Sequence, residues 1–198
     1  MPTPHPIAVL VSGGGRSLEN LQERIAAGEL DCEVRLVLSD RPGVKALERA
    51  ERLGLEHLVL ERKAFDSHEA YSRAVFAELE ARGVELVVLA GFLRLLLLQP
   101  GWDGRVLNIH PALLPAFGGK GYYGDHVHRA VLERGVQVTG CTVHYVNDEY
   151  DQGRVLLQRW IPVPEGATVD ELAAAVFEEE KLALPEAIRR HLAALATA

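Results

Sequence analysis

Short apolar runs alternate with segments of helical periodicity through the first half of the chain. The apolar runs predict buried strands, because strands covered on both faces lack a polar side. Between these runs, apolar residues recur every three or four positions, which predicts amphipathic helices. The predicted strands are residues 7–11, 34–38, 55–60 and 86–90, and the predicted helices are residues 18–28, 46–53 and 67–82. This alternation predicts a doubly wound, mostly parallel α/β sheet.

In the second half, polar and apolar residues alternate in two segments. The alternation predicts strands at 137–146 and 155–163, paired antiparallel at one side of the sheet. Helices are predicted before and after them, at 126–133 and 168–191, with Pro185 marking a break or a second start. No repeat or low-complexity linker interrupts the chain, so one domain over residues 1–198 is predicted.

Composition and charge narrow the class of partner. Of the 198 residues, 48% are hydrophobic and 25% are charged, which is ordinary for a soluble globular protein. The formal net charge of -7 argues against nucleic-acid binding, which usually requires a basic surface. The apolar stretches are too short for a bilayer, so no membrane partner is expected. Two cysteines in no paired motif, Cys32 and Cys141, favour a reducing cytoplasm.

A glycine-rich loop follows the first predicted strand and precedes a helix. It consists of Gly13, Gly14, Gly15, Arg16 and Ser17. Unpaired amides and the helix dipole at such a position favour an anion, and Arg16 adds positive charge. The dinucleotide fingerprint and the Walker lysine are both absent, which favours a single phosphate group. A tight turn without a ligand is the plainer alternative. Asp40, at the end of the second strand, keeps a ribose-binding dinucleotide site open as another.

An asparagine and a histidine stand two positions apart at the end of a further apolar run. Because strand side chains repeat every two residues, Asn108 and His110 are expected on one face, and Pro111 is expected to end the strand. An amide beside an imidazole can polarise a carbonyl and move a proton. A later acidic loop, with Asp148 and Asp151, can supply a carboxylate that orients and charges the imidazole. The plainer alternatives are a structural histidine and a solvated turn.

Two other groups of residues carry side chains that are typical of binding sites. His126 and His128 have metal-ligand chemistry, but residues two apart on a helix face apart. Cys141 and His144 are three apart on a strand and point to opposite faces, so no metal site is predicted. Arg94 follows the strand at 86–90 and can contact an acidic ligand, or can be a surface residue. The apolar residues that can wall a slot beside it are Phe92, Leu93 and Leu95.

Five segments together are similar to one known family. They are residues 9–15 (VLVSGGG), 87–94 (VVLAGFLR), 107–115 (LNIHPALLP), 142–146 (TVHYV) and 148–153 (DEYDQG). In this combination the chain resembles the folate-dependent formyltransferases. The resemblance implies their Rossmann-like fold. It implies transfer of a formyl group from the co-substrate 10-formyltetrahydrofolate to the amine of glycinamide ribonucleotide, in purine biosynthesis.

The resemblance also assigns roles to residues. Asn108, His110 and Asp151 become catalytic: the substrate amine attacks the formyl carbon, Asn108 and protonated His110 stabilise the oxyanion, and Asp151 supports the imidazolium. The glycine-rich loop would hold the substrate phosphate, and neither a metal nor a covalent intermediate is required. The other implied contacts are Pro111 and Glu180 for the substrate, and Phe92, Leu93, Arg94, Leu95, Val146 and Asp148 for the folate.

The organisation expected from this resemblance is a single domain with two lobes. Residues 1–105 would form the phosphate-binding lobe, and residues 106–198 the catalytic and folate-binding lobe. Residues 117–124, rich in glycine and aromatic residues, are expected to form a mobile flap. The protein is expected to be cytoplasmic and either a monomer or a homodimer.

Two other functions compete with formyl transfer. Formyltetrahydrofolate deformylases use the same three catalytic residues with water as the acceptor. That family usually carries an additional N-terminal domain, and only residues 1–6 precede the first predicted strand here. A non-catalytic nucleotide-binding module would explain the glycine-rich loop. It would not explain why Asn108, His110 and Asp151 occur together.

Overall fold

The structure is a computed structural model that describes residues 4–196. Residues 1–3 and 197–198 lie outside the described residues. The first half of the segment 1–6, which precedes the first predicted strand, is therefore not described. The chain divides into two compact units, of which the first ends at Asn108 and the second begins at Ile109. The roles expected of the two lobes, phosphate binding for residues 1–105 and catalysis with folate binding for residues 106–198, stay a prediction.

The first unit is built on a parallel sheet. Its strands are β1 (His5–Val11), β2 (Cys32–Ser39), β3 (His57–Val59), β4 (Leu86–Leu89) and β5 (Val106–His110), the last of which runs into the second unit. Its helices are α1 (Arg16–Ala26), α2 (Lys45–Arg52) and α3 (His68–Ala81), with a 3₁₀ turn at Arg62–Ala64. The strand order is β3-β2-β1-β4-β5 and the pairings are parallel. The unbroken apolar runs of β1 and β4 are buried, as their sequences predict.

The strand order creates a switch point between β1 and β4. From β1 the chain proceeds to β2 and β3 on one side, and it then returns to place β4 on the other side of β1. In open α/β sheets, ligands bind at the carboxyl ends of the strands where the order reverses in this way. The loop after β1 begins at Ser12 and the loop after β4 begins at Ala90. Both loops therefore stand where a ligand is expected.

The second unit holds an antiparallel strand pair and two helices. Its elements are α4 (Asp125–Arg134), β6 (Val138–Tyr145), β7 (Val155–Pro162) and α5 (Val169–Leu195). β6 and β7 pair antiparallel, with Val138 opposite Pro162, and α5 packs against both strands. Thr168 caps α5 in a capping box with Glu171. The predicted fold class is confirmed: a doubly wound, mostly parallel α/β sheet with an antiparallel edge in the C-terminal half.

Two details of the prediction were wrong. The third strand, predicted at 55–60, is limited to β3, because the N–H of Leu55 donates to the carbonyl of Ala50 and closes the end of α2. Helix α5 continues through Pro185, which was expected to mark a break or a second start. Pro185 is buried, as are Ala183 and Leu184 directly before it, and burial of this apolar ring offsets the loss of one backbone hydrogen bond. Within residues 4–196, no helix is long and apolar enough to cross a membrane.

Candidate active site

The end of β5 carries the predicted asparagine and histidine. β5 ends at His110, directly before Pro111, which cannot continue a ladder of hydrogen bonds. Asn108 and His110 are separated by one residue on this strand, so their side chains share a face. Asn108 and Pro111 are half-buried, whereas His110 is only 4% exposed. A polar pair therefore stands at the carboxyl end of a buried strand.

The two ring nitrogens of His110 have different partners. Nε2 lies 2.8 Å from the carbonyl oxygen of Phe117, so Nε2 carries the hydrogen of the neutral ring and donates it. Nδ1 lies 3.5 Å from Oδ2 of Asp151. In the neutral ring, Nδ1 presents a lone pair to this carboxylate. A proton taken up at Nδ1 would point directly at Asp151, so the carboxylate favours the imidazolium.

Burial decides the charge of the resting imidazole. Burial lowers the pKa of His110 below its usual 6.5, and the Asp151 carboxylate and the Phe117 carbonyl only partly offset this effect. His110 is therefore neutral at pH 7 in the resting protein. This differs from the protonated His110 of the sequence-based mechanism, because the strength of desolvation depends on packing around the ring. The imidazolium has to form during turnover.

Asp151 is held by backbone geometry as well as by side chains. It adopts the left-handed conformation with φ of 58°, which aspartate tolerates better than most residues. Its Oδ2 accepts a hydrogen bond of 2.9 Å from the backbone N–H of Gly119. Gly153, two positions later, is required by close packing, because a Cβ there would lie 1.7 Å from the carbonyl oxygen of Tyr145.

A second buried histidine also faces Asp151. Nε2 of His144, on β6, lies 3.5 Å from Oδ1 of Asp151, and Nδ1 of His144 lies 2.8 Å from the carbonyl of Tyr145. From the sequence, His144 was a candidate only for metal binding. Its place in the segment 142–146, one of the five that carry the family resemblance, was the available signal. Across residues 4–196, no cluster of three or more acidic, histidine or cysteine side chains is arranged to hold a metal ion.

These contacts keep Asp151 ionised. Burial alone would raise the pKa of Asp151, but the hydrogen bond with His144, the attraction of His110 in its protonated form and the N–H of Gly119 lower it below its usual 3.8. Asp151 is therefore a carboxylate at neutral pH, placed between two imidazoles. A buried carboxylate beside a neutral imidazole can accept and stabilise a proton that arrives during a reaction.

The glycine-rich loop of the first unit has space for a ligand. Gly13 and Gly14 are exposed, and a Cβ at either would meet no atom within 4 Å. Gly15, with φ of 76°, occupies the N-cap position of α1, and no side chain caps that helix end. Its close approach to Ala46 excludes a larger residue, since a Cβ would lie 2.7 Å from the Ala46 Cα. The loop therefore leaves the N-terminal amides of α1 uncapped by a side chain, which suits an anion. Arg16 is exposed and Ser17 is half-buried.

The segment after β4 carries four predicted folate contacts. Phe92 is buried, and Leu93 and Leu95 are half-buried. Nε of Arg94 donates to Oδ2 of Asp40 at 2.5 Å, and the Asp40 side chain is 0% exposed. Asp40 therefore binds arginine, which argues against the alternative in which its carboxylate binds a ribose. This pairing was not expected from the sequence.

The remaining predicted contacts lie in the second unit. Glu180 is half-buried on α5. Burial of Cys141 and, to a smaller extent, the negative charge of Glu180 raise the pKa of the Cys141 thiol to about 12. Cys141 is therefore an uncharged thiol rather than a nucleophile. Val146 is half-buried and Asp148 is exposed in the loop after β6. In the predicted flap, Phe117 has φ of 55°, a conformation that few non-glycine residues adopt.

The sequence and the fold of the chain match those of known proteins. Residues 5–188 match the family described as formyl transferase. The chain belongs to that family. This formyl transferase domain is 39% identical to the phosphoribosylglycinamide formyltransferase of Escherichia coli, over 90% of the chain and 83% of the bacterial protein. It is 42% identical to the trifunctional purine biosynthetic protein adenosine-3 of the chicken, Gallus gallus, over 92% of the chain.

Solved structures of formyl transferases share the fold. The glycinamide ribonucleotide transformylase 1 of Symbiobacterium toebii superposes with a TM-score of 0.87 and 41% identity, covering 96% of this chain and 88% of that one. The chain spans 18% of the length of the chicken protein. It thus corresponds to one part of that larger polypeptide, and to most of each bacterial protein.

Proposed function

We propose that this chain transfers the formyl group of 10-formyltetrahydrofolate to the amine of glycinamide ribonucleotide, a step of purine biosynthesis. The observation that carries the proposal is the buried contact between His110 and the ionised Asp151, with Asn108 two positions earlier on β5. The identity of 39% to the Escherichia coli phosphoribosylglycinamide formyltransferase supports the choice of acceptor.

In the proposed reaction, the amine nitrogen of the acceptor attacks the formyl carbon and forms a new C–N bond. The amine loses a proton, which Nδ1 of His110 takes up because Nε2 already carries a hydrogen. The resulting N–H faces Asp151 across 3.5 Å, and the carboxylate stabilises the imidazolium. When the tetrahedral intermediate collapses, the bond from carbon to the folate nitrogen breaks. The proton then reaches that nitrogen through the carboxylate and solvent.

Two donors would stabilise the oxyanion of the intermediate. Asn108 offers its side-chain amide, and His110 offers the N–H of Nε2, which donates to the carbonyl of Phe117 in the structure. The formyl oxygen would take the place of this carbonyl when the flap, residues 117–124, shifts. One such donor contributes about 2.7–4 kcal/mol to transition-state stabilisation in comparable sites.

Substrate binding completes the proposal. The glycine-rich loop and Arg16 would bind the phosphate of glycinamide ribonucleotide, and Pro111 and Glu180 would contact its glycinamide part. The folate contacts proposed are Phe92, Leu93, Arg94, Leu95, Val146 and Asp148. This assignment keeps the phosphate-binding role in the first unit and the catalytic histidine and aspartate in the second. The net charge of -7 fits a small substrate better than a nucleic acid, and a cytoplasmic monomer or homodimer stays our prediction.

The test is the consumption of 10-formyltetrahydrofolate, followed by absorbance, with and without glycinamide ribonucleotide. We expect consumption that requires glycinamide ribonucleotide and yields its formylated product. Consumption without the acceptor, with release of formate, would make the protein a deformylase. No consumption under either condition would refute both enzymatic functions.

A further inference from the structure

A buried carboxylate joins the two loops at the switch point of the first unit. Asp40, directly after β2, has a fully buried side chain. Its Oδ2 accepts the hydrogen bond of 2.5 Å from Nε of Arg94, in the loop after β4. Arg41 approaches the same carboxylate less closely, with Nε 3.4 Å from Oδ1. The short bond to Arg94 is thus the dominant ion pair of Asp40.

Ser12 extends the connection to the loop after β1. Its hydroxyl oxygen accepts a hydrogen bond of 2.9 Å from the backbone N–H of Leu93. The hydroxyl hydrogen is donated to Asp40, and this bond, with those from Arg94 and Arg41, outweighs burial and lowers the pKa of that carboxyl. The chain from Leu93 through Ser12 to Asp40 therefore fixes the backbone next to Arg94, while Asp40 fixes the Arg94 side chain.

The bond to Asp40 leaves most of the Arg94 guanidinium for a ligand. Nε has one N–H, and the two Nη atoms carry the other four of the five donors. The Arg94 side chain is 40% exposed. A guanidinium is planar, so fixing Nε also fixes the plane in which the Nη donors lie. Asp40 can therefore orient Arg94 without touching the ligand.

We propose that Asp40 is a positioning residue for folate recognition, acting through Arg94 and through the hydrogen bond between Ser12 and Leu93. The inference rests on the proposed function, in which Leu93 and Arg94 contact the folate. Preorganised donors lower the ordering cost of binding, so loss of Asp40 weakens folate binding. The chemical step is affected much less, because Asp40 does not reach the reacting atoms.

The test is a double-mutant cycle on the full chain with Asp40→Asn, Arg94→Gln and the double variant. Asparagine keeps the shape of Asp40 and an acceptor for Ser12 but removes the charge that holds Arg94. We expect Asp40→Asn to raise the KM for 10-formyltetrahydrofolate about tenfold, with kcat changed less than about threefold. The double variant should have the KM of Arg94→Gln alone, because Asp40 acts through Arg94. Asp103→Asn, at an exposed position, is the matched control and should leave both constants unchanged.

Several outcomes would overturn the proposal. An unchanged folate KM in Asp40→Asn is one, and a double variant whose KM change is the product of the two single changes is another. If Asp40 had a purely structural role, Asp40→Asn and the double variant would both have a lower melting temperature. Their folate KM would then show no change that depends on Arg94. If Asp40→Asn does not fold, Arg94→Lys tests the pair from its exposed side. Lysine keeps the charge but lacks the planar fork, so an unchanged KM would contradict us.

Failure of the proposed function is separately visible. A wild-type protein that does not consume 10-formyltetrahydrofolate would refute the function but not yet the role of Asp40. Calorimetric titration of the same variants with tetrahydrofolate then decides the matter. We expect Asp40→Asn to bind about tenfold more weakly than wild type. Equal binding by the two proteins, or no binding by wild type, would overturn the proposal.

Discussion

Nε2 of His144 lies 3.5 Å from Oδ1 of Asp151, while Nδ1 of His110 lies 3.5 Å from Oδ2 of the same carboxylate. Each carboxylate oxygen thus faces a different buried imidazole. Nδ1 of His144 lies 2.8 Å from the carbonyl oxygen of Tyr145, so this ring nitrogen donates to the backbone while Nε2 is turned to Asp151. His144 therefore contacts the carboxylate oxygen that His110 does not.

Replacing His144 should affect catalysis more than binding. In His144→Leu, Asp151 loses the hydrogen bond that most strongly offsets the effect of burial on its pKa. The pKa of Asp151 therefore rises, and the carboxylate is less firmly held. We expect kcat to fall about tenfold, equivalent to about 1.4 kcal/mol, with both KM values nearly unchanged. Steady-state kinetics measures the effect. His128→Leu, which removes a buried histidine of α4, is the control for a general loss of packing. An equal kcat loss in both variants would remove His144 from the site.

Asp151→Asn should separate the charge of this residue from its shape. The amide can still accept the N–H of Gly119, so the loop is expected to keep its conformation. Without the negative charge, the imidazolium of His110 loses its stabilisation and proton transfer slows. We expect kcat to fall by about 100-fold or more, within the usual range for general acid–base groups, without loss of the folded state. Circular dichroism and kinetics on the same sample test this. Full activity across the pH range would contradict the role given to Asp151.

The acid limb of the pH profile should lie below pH 6.5. Burial lowers the pKa of His110 from 6.5, and the neutral ring is the form that can take up the amine proton. The amine of the free acceptor, an α-amino group with a pKa of about 7.7–8.0, titrates separately. Once that ionisation is divided out, kcat/KM is expected to be flat down to about pH 6.5 and to fall below it, as His110 becomes protonated in the free protein. A kcat/KM that rises on acidification through this range would show that protonated His110 is the active form.

Two neighbouring glycines of the loop should respond differently to alanine. Gly14 has open space where a Cβ would go, whereas Gly15 has φ of 76° and would place a Cβ 2.7 Å from the Ala46 Cα. We expect Gly14→Ala to keep the melting temperature and raise the KM for glycinamide ribonucleotide about tenfold, because the methyl group would occupy the proposed phosphate site. Gly15→Ala should lower stability by about 1–2 kcal/mol or more. An unchanged KM in Gly14→Ala would place the phosphate elsewhere.

The sequence carried most of the fold because its signals are local. The apolar run of β4 and the serine cap of α3, where Ser67 accepts the N–H of Ala70 at 3.1 Å, are readable from a few adjacent residues. The extent of β3 could not be read from adjacent residues, because the N–H of Leu55 donates to the carbonyl of Ala50 at the end of α2 and not to the sheet. The passage of α5 through Pro185 depends on packing around that residue, which a proline in the sequence does not reveal.

The site was only partly predictable for the same reason. The shared face of Asn108 and His110 follows from strand periodicity. The acidic loop offered a carboxylate from Asp148 or Asp151, and the family resemblance singled out Asp151. The pairing of Asp40 with Arg94 joins residues 54 positions apart, and no local pattern links them. The neutral state of His110 depends on how deeply the ring is buried, which only the packed structure gives.

The most direct test follows an isotopically labelled formyl group of 10-formyltetrahydrofolate in wild type, Asn108→Ala and His110→Ala, with glycinamide ribonucleotide present. In wild type, the label should appear on the glycinamide amine and not in formate. In both variants, transfer should fall by orders of magnitude while glycinamide ribonucleotide still binds with nearly wild-type affinity. Label released as formate by wild type, or transfer that persists at the wild-type rate without Asn108 or His110, would contradict the proposed chemistry.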